Sequence, residues 1–474
     1  MRALMLQGTA SGVGKSVLTA GLCRLLARRG VRVAPFKPQN MSNNAAVTAC
    51  GGEIGRAQAL QAMACGLEPT VEMNPVLIKP EADAQAQLIV RGRVAGRLRA
   101  ERFREERAAL LETVLESFDR LQSRFDLVLV EGAGSPAEPN LRHGDIANMG
   151  FAEAADLPVW LIGDIHRGGV FAALTGTLTL LPPGERRRVR ALLINRFRGA
   201  RALLDAAIDW LERESGRPVA GVIPWLDLEL PEEDAPYRHQ RAALRRAPFQ
   251  VAVIAFPRMA NSDDLDPLAA EPGVALRFVR SPDALQPADV VVLPGSKHIA
   301  SDLDWLRERG FTRPLLRHLR YGGKVLGICG GMVMLGRCLL DPGVEGGSRP
   351  GLGLLPHTCR MEPEKRLRRV ERIARWPQPV PVCGYEIHHG SCTEDPELFP
   401  FATCSDDGQV WGTWLHGLFE RGPFRRAWLT AMGMDGSDGV DHRRRVMESL
   451  DRLADLLEAE LRPDLLAPLL GKAA

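Results

Sequence analysis

Ala3-Leu4-Met5-Leu6-Gln7-Gly8-Thr9-Ala10-Ser11-Gly12-Val13-Gly14-Lys15-Ser16 stands near the start of the chain. An apolar run leads into a glycine-rich loop, and the loop opens a helical stretch that Gly30 stops. Strand, loop and helix in that order are what a phosphate-binding loop requires. Loop N–H groups and the helix start hold phosphate oxygens, Lys15 adds a point charge, and the Ser16 hydroxyl is a Mg²⁺ ligand. The loop is one residue longer than the G-x-x-x-x-G-K-[ST] pattern, because five residues separate Gly8 from Gly14. Working outward, short apolar runs recur at Val31–Pro35, Leu127–Val130, Val159–Ile162, Ala191–Ile194 and Val219–Val222, with helical patterns between them. This alternation predicts a parallel sheet with helices on both faces.

Strand ends on such a sheet carry ligand-binding side chains. Glu131 ends Leu127-Val128-Leu129-Val130 and is a candidate Mg²⁺ ligand beside Ser16, with a helix cap as the plainer reading. Asp164 ends the following strand; metal binding, orientation of a substrate carboxylate and a structural cap all suit it. Asn195 ends another strand, where an amide can read an adenine edge; together with Gly12, Gly14, Lys15 and Ser16 it completes the candidate nucleotide set. After the second strand comes Lys37-Pro38-Gln39-Asn40-Met41-Ser42-Asn43-Asn44. Its amides and hydroxyls suit a polar ligand, with Lys37 and Asn40 the candidate substrate contacts and an ordinary capped loop the alternative.

The second half repeats the alternation at Val251–Ala255, Val290–Leu293 and Lys324–Ile328. Here Val325-Leu326-Gly327-Ile328-Cys329-Gly330-Gly331 runs a strand into a cysteine, and Met332-Val333-Met334-Leu335 resumes as a helix. Flanking glycines tolerate so sharp a turn, which lifts the Cys329 sulfur toward a carbonyl substrate. The N–H of Gly330, with a second from Gly295 in Pro294-Gly295-Ser296-Lys297, is placed to hold the oxyanion of bound glutamine. His416, in Trp414-Leu415-His416-Gly417, is the candidate base, with His388 and His389 competing for the role. An imidazole beside the thiol lowers its pKa and later protonates leaving ammonia.

A chain of 474 residues is too long for one core. The expected division is a nucleotide domain over 1–230, a polar linker over 231–248, a second α/β domain over 249–440 and an amphipathic C-terminal helix over 441–474. That helix, from Arg443 to Leu461, steps its apolar residues by three and four and is expected to dock on its own domain. Net charge is only +3, which speaks against a dedicated nucleic-acid binder. Arginine clusters at 97–99, 186–188 and 366–369 carry no interleaved aromatics and read as solvated helix faces. No run of eighteen apolar residues predicts a membrane span, and a start that enters a strand directly suggests a cytoplasmic protein. Nine cysteines without a C-x-x-C pair read as reduced thiols.

The variant Gly8–Ser16 loop with Glu131-Gly132-Ala133-Gly134 resembles dethiobiotin synthetase, and the second half resembles a class I glutamine amidotransferase. That second domain is therefore expected to be flavodoxin-like. Phe36–Ala45, Gly51–Gln58, Met73–Pro80 and Asp164–Gly169 resemble the cobyric acid synthase family in particular, and the match covers nearly the whole chain. The resemblance implies an ATP- and Mg²⁺-dependent ligase. It would take ammonia from glutamine and amidate four peripheral carboxylates (b, d, e and g) of a corrinoid, adenosylcobyrinic acid a,c-diamide. Activation as an acyl phosphate is needed because a carboxylate is a poor electrophile. Cobyrinic acid a,c-diamide synthase, a lipid II amidotransferase pair and a ParA-like ATPase are the rival readings. One departure stands out: many class I amidotransferases carry H-x-E, whereas Leu418 lies two residues after His416. Glu420 or a backbone carbonyl is then the candidate to orient the imidazole.

Overall fold

The computed structural model describes residues 1–82, 85–99, 109–231 and 247–471. Most of the expected linker, 231–248, lies outside the described residues. Two compact units emerge: Met1–Ser42 with Thr48–Asp234 and Val446–Ala474, and Asn43–Val47 with Ala235–Arg445.

In the first unit β1 (Ala3–Gly8), β2 (Val33–Phe36), β3 (Leu127–Glu131), β4 (Val159–Asp164), β5 (Val189–Phe197) and β6 (Val219–Pro224) form one sheet in the order β6-β5-β4-β1-β3-β2. All the pairings are parallel. Leu4, Met5 and Leu6 are all fully buried. That is why these strands read as continuous apolar runs: helices cover both faces of the sheet. Between β3 and β4 the strand order reverses at β1, so the loops after β1 and β3 open at one crevice. Helix α1 (Lys15–Arg28) leaves the loop after β1, and α2 (Arg56–Ala64) packs against it.

The helix His442–Glu460 brings Val446, Leu450, Leu453 and Leu457 into the buried cluster that contains α1. Contact is close at Gly21, where an added Cβ would lie 2.6 Å from Leu453 Cγ and from Leu457 Cδ1. The three- and four-residue spacing of leucines thus marks a face seated in the first unit's core.

The second unit has its own sheet. β7 (Phe249–Ile254), β8 (Val274–Val279), β9 (Val290–Leu293) and β10 (Lys324–Ile328) are followed by a long ribbon, β11 (Thr358–Ile373) and β12 (Pro381–Ser391). β13 (Thr403–Cys404) and β14 (Val410–Thr413) complete the sheet, whose order is β8-β7-β9-β10-β14-β13. Only β13 pairs antiparallel in it. Between β10 and the short helix α3 (Gly330–Leu335) stands the single residue Cys329.

Two expectations need correction. Cys359 and Cys392 form a disulfide across a Cα–Cα separation of 4.4 Å, so not all nine cysteines are free thiols. Arg97–Arg99 and Arg366–Arg369 lie on strands, and of the three clusters only Arg186–Arg188 sits on a helix. Among the described residues no helix is long and apolar enough to cross a membrane.

Candidate functional site

The first unit gathers its polar residues around Glu131. This carboxylate is fully buried at the end of β3, with its register partner Leu6 on β1. Oε1 accepts from Ser16 Oγ at 2.7 Å and from Lys37 Nζ at 2.7 Å, and Oε2 accepts from Gln61 Nε2 at 2.5 Å. Burial alone would raise the Glu131 pKa, but Lys37, Ser16 and Gln61 outweigh it and hold the carboxyl below the usual range. A charged carboxylate thus persists in a site with no solvent exposure, because donors surround it.

The loop itself is shaped by backbone that glycine alone adopts easily. Gly12 and Gly14 have φ of 71° and 101°. A Cβ on Gly14 would also lie 2.3 Å from Asn195 Nδ2. Asn195 donates to Val13 O at 2.8 Å, so its amide nitrogen buttresses the loop from β5. Lys15 Nζ donates to Ala10 O at 3.0 Å and Gly134 O at 2.9 Å, tying the loop after β1 to the loop after β3.

Asp164 is not among the partners of Glu131. Its Oδ2 pairs with Arg196 Nη1 at 2.9 Å, and its Oδ1 accepts from His166 N. Arg196 in turn donates to Gly12 O at 2.7 Å, so Asp164 braces the phosphate loop through an arginine. Asn40, buried, donates to Gln58 Oε1 at 3.1 Å. Gln61 had drawn no attention in the sequence. It lies one helical turn beyond Gln58 on α2, and that spacing is the signal that marks it.

Ser16 and Glu131 present hard oxygen donors side by side at the phosphate loop, and the Oε1 of Gln61 is buried with no hydrogen-bond partner. An oxygen set of this kind, with a single carboxylate, suits Mg²⁺ bound together with phosphate oxygens.

In the second unit the chain turns at Cys329 with φ 51° and ψ −109°, a conformation that a non-glycine residue holds only under constraint. Cys329 N donates to Thr413 O at 2.7 Å, which pins the turn to the end of β14. Close packing explains the glycines around it. A Cβ on Gly330 would lie 2.9 Å from Ser296 N, one on Gly331 1.9 Å from Leu293 O, and one on Gly295 3.2 Å from His416 Cε1. Gly295, Gly330, Cys329 and His416 are therefore drawn together in space. Ser296 Oγ donates to Asp302 Oδ2 at 2.6 Å, and burial pushes the Asp302 pKa up to about 6.

His416 is 1% exposed, and its Nδ1 lies 2.6 Å from Asp264 Oδ2. The other oxygen of Asp264 accepts from Gly417 N at 2.8 Å. The imidazole is oriented by this carboxylate, not by Glu420 or a backbone carbonyl. Burial alone would lower the His416 pKa; the Asp264 carboxylate and the hydrogen-bonded Cys329 sulfur outweigh it and push it up to about 10. Tyr385 stacks on the ring at 5.3 Å. His388 is engaged elsewhere, stacked 4.0 Å from Trp414 with Nδ1 toward Gly390 O, and His389 Nδ1 faces Glu362 O. A thiol, an imidazole and a carboxylate in sequence can generate a thiolate and shuttle its proton. Asp264 was missed because it follows β7 in Asn261-Ser262-Asp263-Asp264, a polar run past a strand end that carries no local motif.

Residues 4–237 match the CobQ/CobB/MinD/ParA nucleotide binding domain, and residues 250–424 match the CobB/CobQ-like glutamine amidotransferase domain. A cobyric acid synthase of Halorhodospira halophila is 62% identical over 465 residues, covering 98% of this chain and 96% of its own. One of Paracoccus denitrificans is 53% identical over 479 residues, covering 97% and 98%. A solved glutamine amidotransferase covers 39% of this chain and 99% of its own at 16% identity and TM-score 0.30, too slight a likeness to argue from. Both domain families in this order, with such identity over nearly the full length, make the chain a member of the cobyric acid synthase family.

Proposed function

We propose that this chain is a glutamine-dependent ligase that amidates the b, d, e and g carboxylates of adenosylcobyrinic acid a,c-diamide. The observation that carries the ammonia-producing half is the Cys329, His416 and Asp264 cluster. Cys329 attacks the side-chain amide carbon of glutamine. The N–H groups of Gly330 and Gly295 take the oxyanion, and His416 gives its proton to the departing ammonia. Water then attacks the thioester, releases glutamate and restores the thiol. Asp264 keeps the imidazole in one orientation throughout, with its Nδ1 proton engaged.

In the first unit the loop N–H groups, Gly12, Gly14 and Lys15 bind the phosphates of ATP, with Asn195 holding the loop in shape. Ser16 and Glu131 would hold Mg²⁺, which supplies Lewis-acid stabilisation of phosphoryl charge. Lys37 balances the buried Glu131 charge and is a candidate to meet the incoming carboxylate. Asn40, in its buried amide network, is a candidate substrate contact, and Asp164 holds the loop through Arg196. The corrin carboxylate takes the γ-phosphoryl group, and ammonia displaces phosphate from the resulting acyl phosphate to leave an amide. A cytoplasmic location, where ATP and glutamine are available, belongs to this reading.

Mass spectrometry of adenosylcobyrinic acid a,c-diamide incubated with the protein, Mg·ATP and glutamine tests it. Each conversion of a carboxylate to an amide lowers the mass by about one unit, since a hydroxyl is replaced by an amino group. A series ending at four conversions is expected. An unchanged corrinoid, with glutamine and ATP consumed on another acid, would discard the corrin and keep the ligase.

A further inference from the structure

His357, Cys359 and Cys392 form a cluster that the ligase reading leaves without a role. One ring nitrogen and the two sulfurs lie within 4.8 Å of one another. His357 is 4% exposed and Cys359 1%, while Cys392 is partly buried. His357 Nε2 lies 3.2 Å from Met332 O. A backbone carbonyl can only accept, so Nε2 must carry the proton, and Nδ1 of the neutral ring is left as a lone-pair donor. This Nδ1 is buried and has no hydrogen-bond partner.

An imidazole with one N–H tied to a backbone carbonyl and its other nitrogen unpartnered, clustered with two sulfurs, is the arrangement seen at metal-ligating histidines. Charge and ligand softness narrow the cation class. Two thiolates and one neutral imidazole favour a thiophilic divalent ion of the zinc type over Mg²⁺ or Ca²⁺. Three protein ligands leave a fourth tetrahedral position, which a water can take.

We propose that, once the Cys359–Cys392 disulfide is reduced, Nδ1 of His357 and the two sulfurs bind one zinc-class cation. Reduction takes two electrons and two protons from a dithiol reductant and yields two thiols; the cation then displaces the two thiol protons. The site is separate from Ser16 and Glu131, whose oxygen donors suit a harder ion. It meets the helix that follows the second unit's cysteine turn at Met332, the third residue after Cys329.

The test uses the full-length protein, reduced with a dithiol, loaded with Zn²⁺ and dialysed, with bound metal read by elemental analysis. About one equivalent is expected to survive dialysis and to fall well below half an equivalent in His357→Ala and in Cys392→Ser. Because a core variant can misfold, the unaltered protein is also titrated with Co²⁺. A thiolate-to-cobalt charge-transfer band with tetrahedral visible bands is expected. Three results would overturn the proposal: no retained zinc in the reduced protein, retention in both variants equal to that of the unaltered protein, or cobalt spectra without a thiolate band. A thiol count still two short after reduction would also overturn it, because the sulfurs would then not be available.

Discussion

Asp264 stands 152 residues before the histidine whose Nδ1 it holds. Its two oxygens divide between His416 and the N–H of Gly417, so one side chain fixes both the ring and the backbone that carries it. The raised His416 pKa has a definite consequence. A histidine whose folded pKa lies above its unfolded value gains stability that is fully present below about 6.5 and lost as pH rises toward about 10. Asp264→Asn removes the charge while keeping an acceptor. It is expected to move the alkaline limb of glutamine hydrolysis to lower pH and to cut turnover by on the order of 10²- to 10⁴-fold. A pH–rate profile measured with glutamine checks this; an unmoved alkaline limb would mean that Asp264 is only structural.

Elements carry the next level of the argument. The helix His442–Glu460 is distant in sequence from α1, yet Leu453 and Leu457 close over Gly21. Leu453 is 2% exposed, so Leu453→Ala leaves a cavity in the first unit's core. A loss of about 2–5 kcal/mol is expected, read as a lowered denaturation midpoint with an unchanged denaturant slope. Glutamine hydrolysis by the folded variant is expected to be unaffected, because Leu453 belongs to the first unit's core. The phosphate loop shows the same dependence on distant support: Asn195 from β5 and Arg196 bonded to Asp164 both hold loop carbonyls.

At the scale of the whole molecule the proposal divides labour between two units, and paired substitutions separate them. Cys329→Ala is expected to abolish amidation from glutamine while amidation from added ammonia persists. Equal loss of both activities in a folded protein would sink the division. Lys15→Ala is expected to remove synthesis with either nitrogen source, because both routes need the activated carboxylate. Retained amidation with ammonia would show that the phosphate loop is not the activating site. Both are read by mass spectrometry of the corrinoid.

Much of the molecule was legible because its signals are local. The strands at Ala3, Leu127, Val159 and Val290 were visible as apolar runs. The two turns at Gly14 and Cys329 were visible because a strand, glycines and a helix start fall within a few residues. Local spacing also placed Lys15 and Ser16 at the start of the first helix and Glu131 at the end of a strand. The sequence by itself therefore determined two mainly parallel α/β sheets and the motif residues near the ends of their strands. Tertiary structure alone decided which side chains serve those motifs. Asp264 rather than Glu420 reaches His416, and Gln61 joins Lys37 on Glu131. Cys359 meets Cys392 across the β11–β12 ribbon. Each of these depends on how strands far apart in the chain are brought side by side. A buried charge or proton is held by whatever lies within hydrogen-bond reach in space, and sequence spacing carries no record of that distance.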